Sequence, residues 1–319
     1  MDLNHLAKLM IEVMLPIAIL VGAGAIWPSY FQEIPSKTLR IQLNRLVLNL
    51  FFPAILLSIA ATTPITPGLL LVPLLGGIGS LLAAVVLYLL LYHSPVGRNL
   101  HNGTRAALVV GGMFGNTFFI GMPVLTFLYG PQAARYPAFH DMLMTMPLVW
   151  SLGVWICTRL GPPEAAFGRQ PIWRVMLGMP PIWAFIIGAT LHIAGLAFEP
   201  LVHAARMIGE ATIPIMMFVL GLSIPWRKLR PNGVILATAA VKLLLMPLLA
   251  WITAKLLFAP ANEPQYAAII ETSMPTMLTI LILTDRFHLD TEAGALLVGW
   301  STLLFWFTLP FSLWLVDQF

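Results

Sequence analysis

An apolar run of about twenty residues recurs along the whole of this chain, and each run is long enough to cross roughly 30 Å of hydrocarbon as a helix. Dividing the runs at polar, proline and glycine breaks predicts ten spans: 10–28, 40–61, 68–92, 104–129, 140–160, 175–195, 204–224, 232–258, 265–284 and 292–316. Charged residues are 9% of the 319 and hydrophobic ones 59%, whereas a soluble domain carries roughly a quarter charged. The expected fold is therefore an all-α membrane protein whose surroundings are the lipid bilayer. The longest polar interval, Leu160 to Arg174, has no room for a soluble domain. One membrane domain with nothing enzymatic appended is the reading that follows.

Basic residues alternate between the loops. Lys37, Arg40, Arg45, Arg98, Arg105, Arg159, Arg169, Arg174, Arg227, Lys228, Arg230 and Arg286 fall on one side, and only Lys8, Arg135, Arg206 and Lys255 on the other. The richer side is expected to be cytoplasmic, which places both termini outside an inner (plasma) membrane. This asymmetry accounts for a net charge of +4 without a nucleic-acid partner. The first ten residues, with Asp2 and Lys8, lack a basic leader and a small-residue cleavage site, so the first run is expected to be retained as a helix. Cys157, the single cysteine, can form no intramolecular disulfide and reads as a packing residue.

The prolines carry an internal repeat. Pro16 answers Pro181, Asn49 to Pro53 answers Glu210 to Pro214, and Gly121-Met122-Pro123 answers Ser273-Met274-Pro275. The intervals between matched prolines are 37 against 33 and 70 against 61. Five spans per half is an odd number, so the second half enters the bilayer from the opposite side. The expected organisation is a first repeat over 1–160, a cytoplasmic connecting loop over 161–174 and a second, inverted repeat over 175–319. Such halves suit alternating access.

Spans four and nine are interrupted where they should be most regular. The fourth contains Gly111-Gly112-Met113-Phe114-Gly115-Asn116-Thr117 and then Gly121-Met122-Pro123; the ninth contains Glu271-Thr272-Ser273-Met274-Pro275-Thr276. An unpaired backbone group in hydrocarbon costs several kcal/mol, so such breaks are tolerated only when packed in protein or lining a cavity. Two breaks are expected to cross at the midplane. Half-helix N-termini meeting there would favour an anionic group, with Asn116, Thr117, Ser273 and Thr276 offering directional hydrogen bonds and Asn49 a place in the cavity wall. Interhelical hydrogen bonding is the rival role for these side chains.

The stretches Leu43-Asn44-Arg45-Leu46-Val47-Leu48-Asn49-Leu50-Phe51-Phe52-Pro53-Ala54, Gly115-Asn116-Thr117 through Pro123, Glu271 through Pro275, and Ser301-Thr302-Leu303 through Pro310 resemble the auxin efflux carrier family. That family includes plant PIN exporters and bacterial carriers of dicarboxylates such as malonate and malate, and shares a ten-helix inverted fold with bile acid sodium symporters. The resemblance implies a substrate site at the crossing, with Asn116, Pro123 and Pro275 in matching positions beside Gly121. It also makes a homodimer plausible. The long central loop of the plant exporters has no counterpart here, so a small carboxylate fits better than auxin.

Three ionisable residues fall inside predicted spans, where charge is expensive and usually functional. Glu271 is a candidate for coupling, either by carrying H+ or, less favoured, as an oxygen ligand to sodium; structural pairing is the alternative. Lys242 could attract a carboxylate or neutralise Glu271. Glu210 lies near the outer end of its span. His140-Asp141 invites a catalytic reading, but no hydrolase or metalloprotease motif accompanies it. A secondary transporter of a small organic anion, with no cofactor, is the expected function; an uncoupled uniporter, a channel or a membrane sensor is the alternative.

Overall fold

A computed structural model of the chain describes residues 3–31, 33–163, 172–258 and 260–319. Asp2, Arg169 and most of the 161–174 connection lie outside the described residues. In chain order the helices of eight residues or more are α1 (Asn4–Tyr30), α2 (Ser36–Thr62), α3 (Pro67–His93), α4 (Asn102–Met113), α5 (Thr117–Tyr129), α6 (Pro131–Leu160), α7 (Pro180–Ile193), α8 (Glu199–Ser223), α9 (Gly233–Leu257), α10 (Glu263–Thr272), α11 (Thr279–Arg286) and α12 (Thr291–Asp317). Seven of these, α1, α2, α3, α6, α8, α9 and α12, are long and apolar enough to cross a membrane. Among the described residues there is no strand, and the chain is an all-helical, multi-pass membrane protein.

The spans expected at 104–129 and 265–284 are each two short helices, α4 with α5 and α10 with α11. One boundary is off by more than two turns. The fifth span was expected to start at residue 140, yet α6 starts at Pro131. Gln132 and Arg135 hid its first turns, because an apolar-run criterion stops where a helix carries polar side chains near its end. The shift places Asp141 ten residues, about 15 Å, along the helix rather than at its mouth.

Prolines shape the remaining helices without breaking them. The π turns Met10–Met14, Val47–Phe51, Asp141–Thr145 and Val241–Leu245 each end two residues before a proline: Pro16, Pro53, Pro147 and Pro247. Proline has no N–H and its ring crowds the carbonyl four residues back. The turn widens in response, and the residue before each proline donates to the carbonyl five back: Leu15 to Met10, Phe52 to Val47, Met146 to Asp141 and Met246 to Val241.

The helices pack in two groups. α1 lies on α8 and α2 on α7, while α3, α4, α6, α9, α10 and α12 pack on one another. Glycine sets the closest approaches in the first group. A Cβ on Gly24 would sit 2.1 Å from the Phe218 carbonyl oxygen, and one on Gly188 2.6 Å from that of Leu57. Backbones this close leave no room for a side chain.

Candidate functional site

The two breaks meet. Gly115 and Thr276 form an antiparallel bridge, with the Asn116 amide donating to the Pro275 carbonyl at 2.6 Å and the Met277 amide to the Phe114 carbonyl at 3.4 Å. Each interruption thus satisfies backbone groups that the other exposes, which is the condition for irregular chain inside a membrane. The Thr276 amide donates to Ser301 Oγ at 3.0 Å, so α12 holds the crossing from behind.

A cavity of about 50 Å³ lies against the crossing, walled by Gly115, Asn116, Thr117, Asp141 and Thr279, with Asn44, Leu48 and Phe52 of α2 and Met216 of α8. It has room for a few waters. Thr117 and Thr279 are the first residues of α5 and α11. Two helix N-termini therefore converge on one space, each contributing roughly half a positive charge and free N–H groups. Asn116 is 4% exposed, and its Nδ2 has no hydrogen-bond partner. The neighbouring hydroxyl is engaged, since Thr117 Oγ1 donates to Asp141 Oδ1.

The other expected site residues separate into those that build the crossing and those that stand apart. Pro275 lends its carbonyl to Asn116. Gly121 provides space for Glu271, because a Cβ there would lie 2.9 Å from both carboxylate oxygens. Ser273 Oγ donates to its own helix at the Ile270 carbonyl, and Thr276 Oγ1 is buried without a partner; neither lines the cavity. Asn49 is exposed and donates to the Arg45 carbonyl at 2.7 Å, away from the crossing. Asn44, one helical turn earlier on α2, occupies the wall where Asn49 was expected. The proline-anchored register pointed to Asn49 and gave no reason to prefer its neighbour.

Glu271 and Lys242 are both fully buried and do not pair directly. Lys242 Nζ donates to the Thr272 carbonyl at 3.0 Å and lies 3.1 Å from Met246 Sδ, and both Glu271 oxygens lack a hydrogen-bond partner. Asp141 and Lys242 are the charges near enough to act on Glu271. Among the described residues no group of three or more His, Cys, Asp and Glu side chains is placed to hold a metal ion.

Two larger spaces open on either side. A vestibule of about 950 Å³ is bounded by Pro16, Pro123 and Pro214, with Glu12, Arg206 and Glu210. On the opposite side a cleft of about 480 Å³ is bounded by Arg40, Asn44, Arg45, Asp285 and Arg286. It shares Asn44, Leu48, Leu278 and Ile282 with the small cavity. All three spaces lie on the seam between the two helix groups. Phe52 and Phe119 line the cavity, three residues before Ile55 and Met122 of the vestibule wall, and the Phe52 ring centroid lies 4.7 Å from that of Phe118 and 5.4 Å from that of Phe119.

Residues 169–313 match the model of a family described as Membrane transport protein. An uncharacterized transporter of Methanothermobacter thermautotrophicus is 28% identical over 282 residues, covering 86% of this chain and 87% of the relative. Another, of Methanocaldococcus jannaschii, is 26% identical over 193 residues, covering 58% and 60%.

Proposed function

We propose that this chain is a PIN-like member of the membrane transport family whose model its residues 169–313 match, and that it is a secondary carrier of a small organic anion, a carboxylate or dicarboxylate such as malonate or malate. One observation carries the reading. The side-chain Nδ2 of Asn116 is buried and unpartnered in the wall of a cavity where two helix N-termini converge, a setting that favours a carboxylate.

The architecture proposed for it is ten spans in two inverted five-helix repeats, 1–160 and 175–319, with α4–α5 as the fourth span and α10–α11 as the ninth. Matched packing supports this. Gly24 lies eight residues after Pro16 and Gly188 seven after its match Pro181, and the carbonyls they meet, Phe218 and Leu57, each lie four after Pro214 and Pro53. The α1–α8 and α7–α2 contacts are thus the same contact made twice with the halves exchanged. Alternating access then consists of movement between the two helix groups, with the Phe52, Phe118 and Phe119 rings separating cavity from vestibule. The arginine-rich cleft faces the cytoplasm of an inner membrane, and both termini face outward. Transport is coupled to H+ through a buried carboxylate.

Purified protein in liposomes, supplied with labelled malonate, malate, succinate and an aromatic carboxylate at two pH gradients, tests this reading. Saturable counterflow of one anion, lost on Asn116→Ala, is the expected result. Unsaturable flux would instead assign a channel, and flux indifferent to Asn116 would place the site elsewhere.

A further inference from the structure

We propose that the cytoplasmic cleft is an anion-binding subsite that receives the carboxylate before it reaches the crossing; this inference rests on the carrier reading above. The cleft presents three guanidinium groups, Arg40 and Arg45 on α2 and Arg286 on α11, against one carboxylate, Asp285. Asp285 already accepts from the Thr291 hydroxyl at 2.9 Å. Among the described residues, none of the three guanidinium groups has an ion-pair or hydrogen-bond partner. Arg286 merely overlies the Trp150 and Phe287 rings at 5.9 and 5.8 Å.

Two other basic groups on the same face are engaged. Arg105 donates to the Gly97 and Arg98 carbonyls, and Lys228 pairs with Glu292 at 2.8 Å. The cytoplasmic bias of basic residues explains why arginines lie on this side. It does not explain why three without partners line one concave wall.

The sequence spacing connects that wall to the crossing. Arg40, Asn44, Leu48 and Phe52 recur every four residues and so form one stripe on α2. The first three line the cleft and the last three line the cavity beside Asn116. Leu278 and Ile282 form the facing stripe and border both spaces. From Arg40 to Phe52 the rise is about 18 Å, so an anion held at the guanidinium groups has a walled path with Asn44 as the polar step along it. Guanidinium accepts a carboxylate through two parallel N–H donors. A lipid phosphate offers the same chemistry, but a headgroup site needs no passage inward, and continuity with the cavity assigns the cleft to the free carboxylate.

The test is counterflow of labelled malonate in phosphatidylcholine vesicles with the cleft side outward, comparing wild type, R45Q/R286Q and R45K/R286K at low and high salt. In R45Q/R286Q the KM from that side is expected to rise about tenfold, the scale of electrostatic focusing, with its salt dependence flattened and the maximal rate kept. The lysine pair should recover the salt dependence and part of the KM. Wild-type counterflow indifferent to both substitutions overturns the subsite and leaves the carrier reading standing. Absence of carboxylate counterflow in wild type overturns the carrier reading and the subsite with it. Adding phosphatidylglycerol separates the two sources: if it raises the melting temperature of wild type but not of R45Q/R286Q, while malonate stabilises neither, the cleft is a lipid site and the proposal fails.

Discussion

Replacing Asn116 with alanine should separate a binding role from a structural one, because the two predict opposite changes in stability. The side chain makes no capping bond to α5, and its Nδ2 is buried without a partner. Its structural bonds come from its backbone: the amide donates across the crossing to Pro275, and the carbonyl accepts from Ile120 of α5 at 3.2 Å. Alanine keeps both. Removing an unsatisfied buried donor lifts a desolvation penalty rather than imposing one, so the melting temperature of Asn116→Ala should hold or rise. Transport should respond differently. A hydrogen bond to a charged group is worth about 1.5 to 3 kcal/mol, and at about 1.4 kcal/mol per decade its loss lowers kcat/KM for the anion by roughly 10- to 150-fold. Asn116→Asp, nearly isosteric, should abolish transport by placing negative charge where the anion sits. The assay is counterflow paired with thermal denaturation of the same preparation. A fall of several degrees in Tm that tracks the lost transport would assign Asn116 to structure and refute the reasoning.

Glu271→Gln preserves the shape beside Gly121 and removes an exchangeable proton, so it tests Glu271 as the coupling group: under that assignment exchange of labelled anion persists while accumulation against a pH gradient is lost, and full gradient-driven uptake in this variant rules Glu271 out. Gly221→Ala places a Cβ 2.0 Å from the Val21 carbonyl oxygen whereas Gly22 meets nothing within 4 Å; thermal denaturation should show a loss of about 1 to 3 kcal/mol for the first and a neutral or slightly stabilising effect for Gly22→Ala. Phe52→Ala removes one of the rings between cavity and vestibule, and should add an unsaturable leak of anion to carrier-mediated flux in the liposome assay.

Much of the architecture is legible from hydrophobic run length alone, since hydrocarbon thickness dictates it, and the two breaks are legible because glycine, asparagine and proline have no other reason to gather in the middle of a span. What sequence could not supply is which polar groups face each other. Asn44 and Asn49 are both plausible on α2, and only the face of that helix turned to the cavity decides between them. Asp141 was hidden for a different reason. Its helix begins at Pro131 under polar cover, so a span starting at residue 140 leaves among its first residues a carboxylate that lies about 15 Å along the helix. A signal did exist: Asp141, Lys242 and Glu271 each lie four to six residues before a proline, where a helix loosens into a π turn or a break and can present a polar group inward.

The placement of Lys242 and Asp141 also assigns them different work. Lys242 Nζ caps the Thr272 carbonyl at the last residue of α10, a cation at a helix C-terminus, and it does not line the cavity. Asp141 does line it, beside the first residue of α5. A carboxylate there complements the helix N-terminus when the cavity is empty, yet it repels an arriving anion. The site can accept both only if Asp141 gives up its charge on binding, and a proton is the simplest means. Substrate and proton would then bind together, which is coupling. Malonate KM should therefore rise with pH through the range in which the substrate is already doubly ionised, because fewer carriers hold the proton that admits it. Asp141→Asn mimics the protonated state and can still accept from Thr117. Its KM should be low and flat across that range, and accumulation driven by a pH gradient should vanish while exchange continues. A wild-type KM that does not move with pH would show that Asp141 never carries the proton, leaving Glu271 as the remaining buried carboxylate at the crossing.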